Sequence, residues 1–182
     1  MTVTLTAMNP VGDREALVSF LTSNLFPFHV CASISRAEAE QRIDTGCFGP
    51  PEHEAFRLDD AAHGRIGYAV LNDMQDDTPL LDLRLATKYR RSGCGVPAVV
   101  SLTNHVFSSM PKVNRFEGKT RDDNIGMRKT FLRAGFLKEA HYREAWPLTR
   151  TEARTSVAYA ILRRDWETGE TTPVPWDDLP AQ

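Results

Sequence analysis

Apolar and polar positions change period several times along the chain, and each change predicts an element. Val3-Thr4-Leu5-Thr6 alternates and is rich in β-branched residues, so it reads as a first strand. Ala16, Leu17, Phe20 and Leu21 recur at helical spacing, which predicts a helix over Arg14 to Asn24 with Asp13 as its cap. Ser35, with Glu38 three positions on, is a capping box that opens a second helix, Arg36 to Asp44. Ala55 to Leu58 and Ile66 to Leu71 flank the turn-forming run Asp59 to Gly64 and predict a hairpin. Leu81, Leu83 and Leu85 alternate with Asp82 and Arg84, which predicts a strand over Leu80 to Ala86. The period then becomes helical again. Val99, Val100, Leu102 and Val106 predict a helix from Pro97 to Ser109, with the proline in its first turn. Val113 to Thr120 reads as a strand, and Ile125 to Ala134 as a helix closed by Gly135. Phe136 to Trp146 and Val157 to Arg164 read as two last strands. This order predicts an α/β (α+β) fold, a central mixed sheet flanked by helices, as a single domain over residues 1–168. The proline-bearing residues 169–182 read as a C-terminal tail.

Composition narrows the function. A chain of 182 residues with 41% hydrophobic and 25% charged side chains is long enough to bury a proper core. Its 22 basic and 24 acidic side chains nearly cancel, which argues against nucleic acid held by bulk charge. No run approaches the roughly 20 apolar residues that span a membrane. The three cysteines, Cys31, Cys47 and Cys94, are widely spaced and include no C-x-x-C pair, as expected of reduced thiols and not of a zinc site. The expectation is a cytoplasmic protein with no metal, no membrane and no nucleic-acid partner.

The strand–turn–helix from Leu80 to Ser109 carries the most chemistry. A helix start presents unpaired N–H groups and the positive end of the helix dipole. Glycines just before it let an anion approach the backbone, and Arg90 and Arg91 add charge, so Arg90-Arg91-Ser92-Gly93-Cys94-Gly95 suits a pyrophosphate. A plain strand-to-helix connection is the alternative for this hexapeptide alone. The nucleotide P-loop is excluded because no Lys-Ser or Lys-Thr follows Gly95. The dinucleotide fingerprint fits badly, with Ala98 at its third glycine and no alternating βαβ order before it.

Arg90-x-x-Gly93-x-Gly95, after a strand and opening a helix, resembles the acetyl-CoA signature of the GNAT N-acyltransferase superfamily. Arg115 to Thr120, then Asn124 to Arg128, then Ala134-Gly135-Phe136 resemble that superfamily's next strand, its asparagine and its "GF" ending. Glu139, Tyr142-Arg143-Glu144 and Tyr159 to Trp166 resemble the branch of ribosomal-protein N-terminal (Rim-type) acetyltransferases. The likeness covers Phe56 to Trp166.

It implies a GNAT-like splayed sheet, acetyl-CoA as co-substrate, and acetyl transfer to a primary amine of a small molecule or a protein N-terminus. It also implies that the backbone N–H groups of Arg91, Ser92, Gly93, Cys94, Gly95 and Val96 hold the pyrophosphate. The pantetheine would lie against Leu85 and Ala86, with Glu117 and Gly118 across the gap, and a backbone N–H near Leu85 would stabilise the oxyanion. Asn124 would bond the pantetheine arm; a helix N-cap is its plainer reading. Homodimers are common among such domains, but no exposed apolar stripe here demands one.

An alkyl ammonium must lose a proton before it attacks a thioester. The family's usual glutamate falls on Leu80. Asp82, two residues on and on the same face, is the first candidate base and Glu117 the second, with an ion pair to Arg84 or Arg115 as the alternative for Asp82. The tyrosine and serine hydroxyls that often serve as acid fall on Phe131 and Met127, so no general acid carries over. That absence favours a rival reading, a non-catalytic acyl-CoA-binding sensor or scaffold. His29, His53, His63 and His141 lack metal-ligand spacing and read as surface or loop residues, and His105 as structural.

Overall fold

The structure is a computed structural model and describes residues 2–176. A seven-stranded mixed sheet has the order β1-β2-β3-β4-β5-β7-β6. Its strands are β1 Val3–Ala7, β2 Glu54–Asp60, β3 Gly64–Asn72, β4 Leu80–Leu85, β5 Arg115–Arg121, β6 Leu137–Pro147 and β7 Ala153–Leu162. All neighbours are antiparallel except β4 and β5, which run parallel through the crossover helix α3.

Helices cover both faces. Helices α1 (Arg14–Ser23) and α2 (Arg36–Asp44) bury Leu17, Val18, Leu21, Ala39 and Ile43 against Tyr68 and Val70 of the sheet. Helices α3 (Gly95–Ser109) and α4 (Ile125–Arg133) pack Val99, Leu102, Val106 and Phe131 on the opposite face, against Leu71, Leu81, Phe116 and Tyr159. Alternation along β4 therefore turns Leu81, Leu83 and Leu85 toward α3, and Asp82 and Arg84 toward the α1–α2 side.

The local signals act as expected. The Ser35 capping box forms with both of its bonds, and Gly135 takes a φ of +88° just past α4. Four details differ. Asp13 does not cap α1; its carboxylate accepts from Asn9 N–H at 3.0 Å, because the Asn9 side chain already organises the turn into the helix. Helix α3 begins at Gly95, ahead of Pro97. A 3-10 turn, Thr87–Tyr89, follows β4.

The fourth difference is that β7 stops at Leu162 and a short helix α5, Arg163–Thr168, follows. Tertiary bonding explains the break. Arg163 turns inward and donates to the carbonyls of Phe107, Met110 and Val113 at 2.7–2.8 Å, so a half-buried cation caps the end of α3. Beyond α5, the residues expected as tail double back within the described part, where Thr172 Oγ1 donates to Asp165 at 2.6 Å. Residues 177–182 lie outside the described residues. No described helix is long and apolar enough to cross a membrane.

Candidate active site

The parallel pairing of β4 and β5 lasts only from Leu80↔Glu117 to Leu81↔Gly118, after which the two strands part. Glu117 N–H donates to Pro79 C=O at 3.1 Å, whereas Ala86 N–H donates to Ile66 C=O on β3 at 2.8 Å. The main-chain N–H and C=O groups of the odd positions of β4 thus point toward β5. Past the last pair, the main-chain groups of Leu83 and Leu85 open into a wedge with no strand partner.

Leu85 N–H therefore has no strand partner, while Leu85 C=O accepts from Arg90 Nε at 3.3 Å. Ala86, expected to serve with it, has no such free N–H. Its N–H is bound to Ile66, its C=O accepts from Tyr89, and it is buried. The resemblance implied Glu117 and Gly118 across the gap from Leu85 and Ala86; instead they pair with Leu80 and Leu81 at the closed end of the wedge. The register of a parallel pair is set by a long crossover and not by a local turn, so spacing along the sequence does not reveal it.

At the wide end sits the glycine turn. Arg91 and Gly93 adopt positive φ, +62° and +89°, which rotates successive N–H groups toward one side. Ser92 Oγ donates to Tyr89 C=O at 2.6 Å and pins the turn. Among the described residues, no backbone N–H from Arg91 through Val96 donates within the protein. These donors, at the start of the 15-residue α3, form an anion cradle suited to a pyrophosphate. Gly95 packs on α4, where a Cβ would come within 3.1 Å of Thr130 Oγ1. Cys94 is fully buried beside Ser92, so its thiol is structural. Arg90 is likewise turned inward, donating to Leu25 C=O with its guanidinium 5.6 Å from the Phe26 ring, and so ties the turn to the end of α1. Burial lowers its pKa.

Asn124 caps α4 through Met127 N–H at 3.2 Å and donates to Thr120 Oγ1 at 2.9 Å. That satisfies the N-cap reading and leaves one amide N–H for a ligand. Phe131 is buried, stacked on Tyr159 with ring centres 5.2 Å apart, so the position of the usual acid is part of the core. The nearby Tyr159 hydroxyl accepts from Arg128 Nε at 3.1 Å.

On the α1–α2 side, Asp82 follows the last paired residue of β4. Its Oδ1 lies 2.9 Å from His29 Nε2 and its Oδ2 accepts from Arg84 at 2.9 Å. Burial opposes its charge, but the His29 hydrogen bond and the Arg84 guanidinium outweigh it and hold the carboxyl well below the usual range. Glu117 is similarly penalised by burial and brought down by Arg115 and Lys119, and Arg115 also reaches Glu139 at 2.6 Å. The Asp82–Arg84 pair named as an alternative thus exists, but the second partner is His29, which sequence reasoning assigned to a loop. Nothing in its spacing marks it, since 53 positions separate it from Asp82.

A surface depression of about 560 Å³, among Pro147 to Arg154 and Glu144, lies on the β6–β7 hairpin. A second, about 480 Å³, lies between the end of α1 and the 3-10 turn after β4, at Phe20, Asn24, Ala86 and Thr87.

A mixed sheet that splits after two paired positions of β4 and β5, with unpaired N–H groups at its wide end, defines an α/β domain with room for an extended ligand. The chain belongs to the acetyltransferase (GNAT) domain family, which it matches over residues 3–137. No curated protein sequence matches it. Among solved structures it is similar to a SpeG spermidine N-acetyltransferase chimera from Vibrio cholerae and hSSAT, at 14% identity and a TM-score of 0.75, covering 92% of this chain and 99% of that one. It is also similar to a GNAT-family acetyltransferase from Bacillus anthracis, at 15% identity and a TM-score of 0.73, covering 90% and 96%. Vibrio cholerae SpeG itself, solved with manganese, aligns at 14% identity with a TM-score of 0.71 over 93% and 97%. These likenesses establish the GNAT fold. None of the three is, by name, a ribosomal-protein acetyltransferase.

Proposed function

We propose that the protein is an acetyl-CoA-dependent N-acetyltransferase that acts on a primary amine by direct attack in a ternary complex. The observation that carries this reading is the unpaired run of N–H groups from Arg91 to Val96, opening onto the wedge between β4 and β5. Those groups would hold the pyrophosphate, while Leu85 N–H and the free Asn124 amide hydrogen would hold the pantetheine arm. When bound, acetyl-CoA supplies an acyl thioester whose carbonyl oxygen needs a hydrogen-bond donor during transfer, and Leu85 N–H has no strand partner. Asp82 and Glu117, both on the acceptor side, are the carboxylates nearest to where the strands part. The unpaired cysteines agree with a cytoplasmic site of action.

The acceptor reading rests on charge. Among the described residues, Asp82, Glu117, Asp123 and Glu139 on this side are each ion-paired with an arginine. A polyamine, the acceptor of the Vibrio relatives, would need carboxylates free to meet several ammonium groups. An acceptor with one amine, a small molecule or a protein N-terminus, fits better. The N-terminus is also what the resemblance to the Rim-type branch suggests.

A non-catalytic acyl-CoA sensor is the rival, favoured by the absence of hydroxyls at Met127 and Phe131. Release of free thiol from acetyl-CoA, followed over a panel of alkylamines, amino-acid amides and N-terminal peptides, decides between them. Amine-dependent release supports the enzyme. Tight acetyl-CoA binding with no release on any amine supports the sensor.

A further inference from the structure

The segment Phe26 to His29 crosses the acceptor side of the wedge and is tied to both parting strands. On one side His29 Nε2 meets Asp82 of β4 at 2.9 Å; on the other, Arg121 of β5 donates to Pro27 C=O at 3.1 Å and its guanidinium lies 5.2 Å from the Phe28 ring. Phe26 anchors the segment. It is 2% exposed, its N–H donates to Ala32 C=O at 2.6 Å, and its ring sits edge-on to the imidazole at 5.6 Å. The His29 side chain keeps 25% of its surface, and among the described residues its only hydrogen bond is the one to Asp82.

Resting on the acetyltransferase reading above, we infer that His29 is the group that takes the proton from the acceptor ammonium, with Asp82 as its positioning residue. An ionised Asp82 can only accept, so it places the ring hydrogen on Nε2 and leaves Nδ1 with a free lone pair. Asp82 is a poor base itself, because Arg84 and His29 both stabilise its charge. The other charged groups around the segment are Arg84 on β4, Arg121 with its partner Asp123 at the end of β5, and Arg90 beside Phe26. None of these guanidiniums can accept a proton.

The balance is simple. The ammonium gives one proton to Nδ1. The freed nitrogen lone pair forms the C–N bond at the thioester carbon as the C–S bond breaks and the thiolate departs. The second proton lost by the nitrogen goes to that thiolate, and the imidazolium returns its proton to solvent. One proton is released per turnover.

The test compares two amines at neutral pH: phenethylamine, which is an ammonium, and aniline, which is already neutral. In His29→Gln, which keeps a hydrogen bond to Asp82, kcat/KM for phenethylamine falls about a hundredfold or more while that for aniline changes only a few-fold. Equal losses on both amines overturn the proposal. The ring tautomer is read without any acceptor, by long-range ¹⁵N–¹H correlation in the intact protein. A protonated Nε2 with a bare Nδ1, lost in Asp82→Asn, supports the dyad; the opposite tautomer overturns it. Loss of acetyl-CoA binding by the unaltered protein marks failure of the acetyltransferase reading instead. If binding persists and neither amine is acetylated, the tautomer decides.

Discussion

Gly118 is the last β5 residue paired with β4 before the sheet opens, and no side chain fits there. A Cβ at that position would lie 2.5 Å from Phe131 Cε1 and closer still to its Cζ. Carbon atoms prefer roughly 3.5–4.0 Å, so the ring or the strand must move by about an ångström. The ring has little room, because Phe131 is 1% exposed and held between Phe136 and Tyr159, each with its ring centre 5.2 Å away. Overpacking of this kind costs about 1–3 kcal/mol. Gly118→Ala should therefore lower Tm by about 2–12 °C, since each kcal/mol is worth about 2–4 °C in a chain of this size. Urea unfolding gives the free energy. The companion variant Phe131→Leu is destabilising alone but makes room for the methyl group, so the double variant should be more stable than the sum of the two losses by about 1 kcal/mol. Gly118→Ala should also weaken acetyl-CoA binding, because the displacement occurs where the wedge closes. A variant as stable as the parent, with additive behaviour in the cycle, would refute the packing argument.

Arg163→Met keeps an unbranched apolar stem but removes the donors that cap α3, and should cost about 2–3 kcal/mol by urea unfolding. Ser35→Ala removes the capping box of α2 and should cost about 1 kcal/mol, read as a modest shift of the urea midpoint at constant slope. Asp82 has a lowered folded pKa, so its pairing stabilises the fold above the ordinary carboxylate range near pH 4 and that stability is lost as the pH falls toward the folded value. Acid titration of stability should accordingly fall less steeply below about pH 4 in Asp82→Asn than in the parent.

What was legible in the sequence is what local chemistry decides. The Ser35–Glu38 box, the Asn124 cap, the Gly135 terminus and the glycine turn each act within a few residues, and each appears where its residue type requires. The order of strands and helices was legible for the same reason. The wedge itself was legible only through family resemblance, and its register was not: Glu117 and Gly118 pair with Leu80 and Leu81, where the resemblance implied that they lie across from Leu85 and Ala86. Long-range pairs were invisible. Arg163 leaves the strand pattern because three distant carbonyls need a donor, and His29 meets Asp82 only because the segment after α1 folds across the sheet.

The central claim is that the turn from Arg91 to Val96 binds the pyrophosphate of acetyl-CoA. It is tested most directly by calorimetric titration of acetyl-CoA into the parent protein, Gly93→Asn and Gly93→Asp. Position 93 is exposed with no atom within 4 Å of a Cβ, and its φ of +89° suits Asn and Asp about equally, so the pair isolates charge from shape. The account predicts binding on the order of micromolar for the parent and a loss for Gly93→Asp at least about tenfold greater than for Gly93→Asn, equivalent to about 1.4 kcal/mol or more. No binding by the parent, or equal binding by all three, would contradict it.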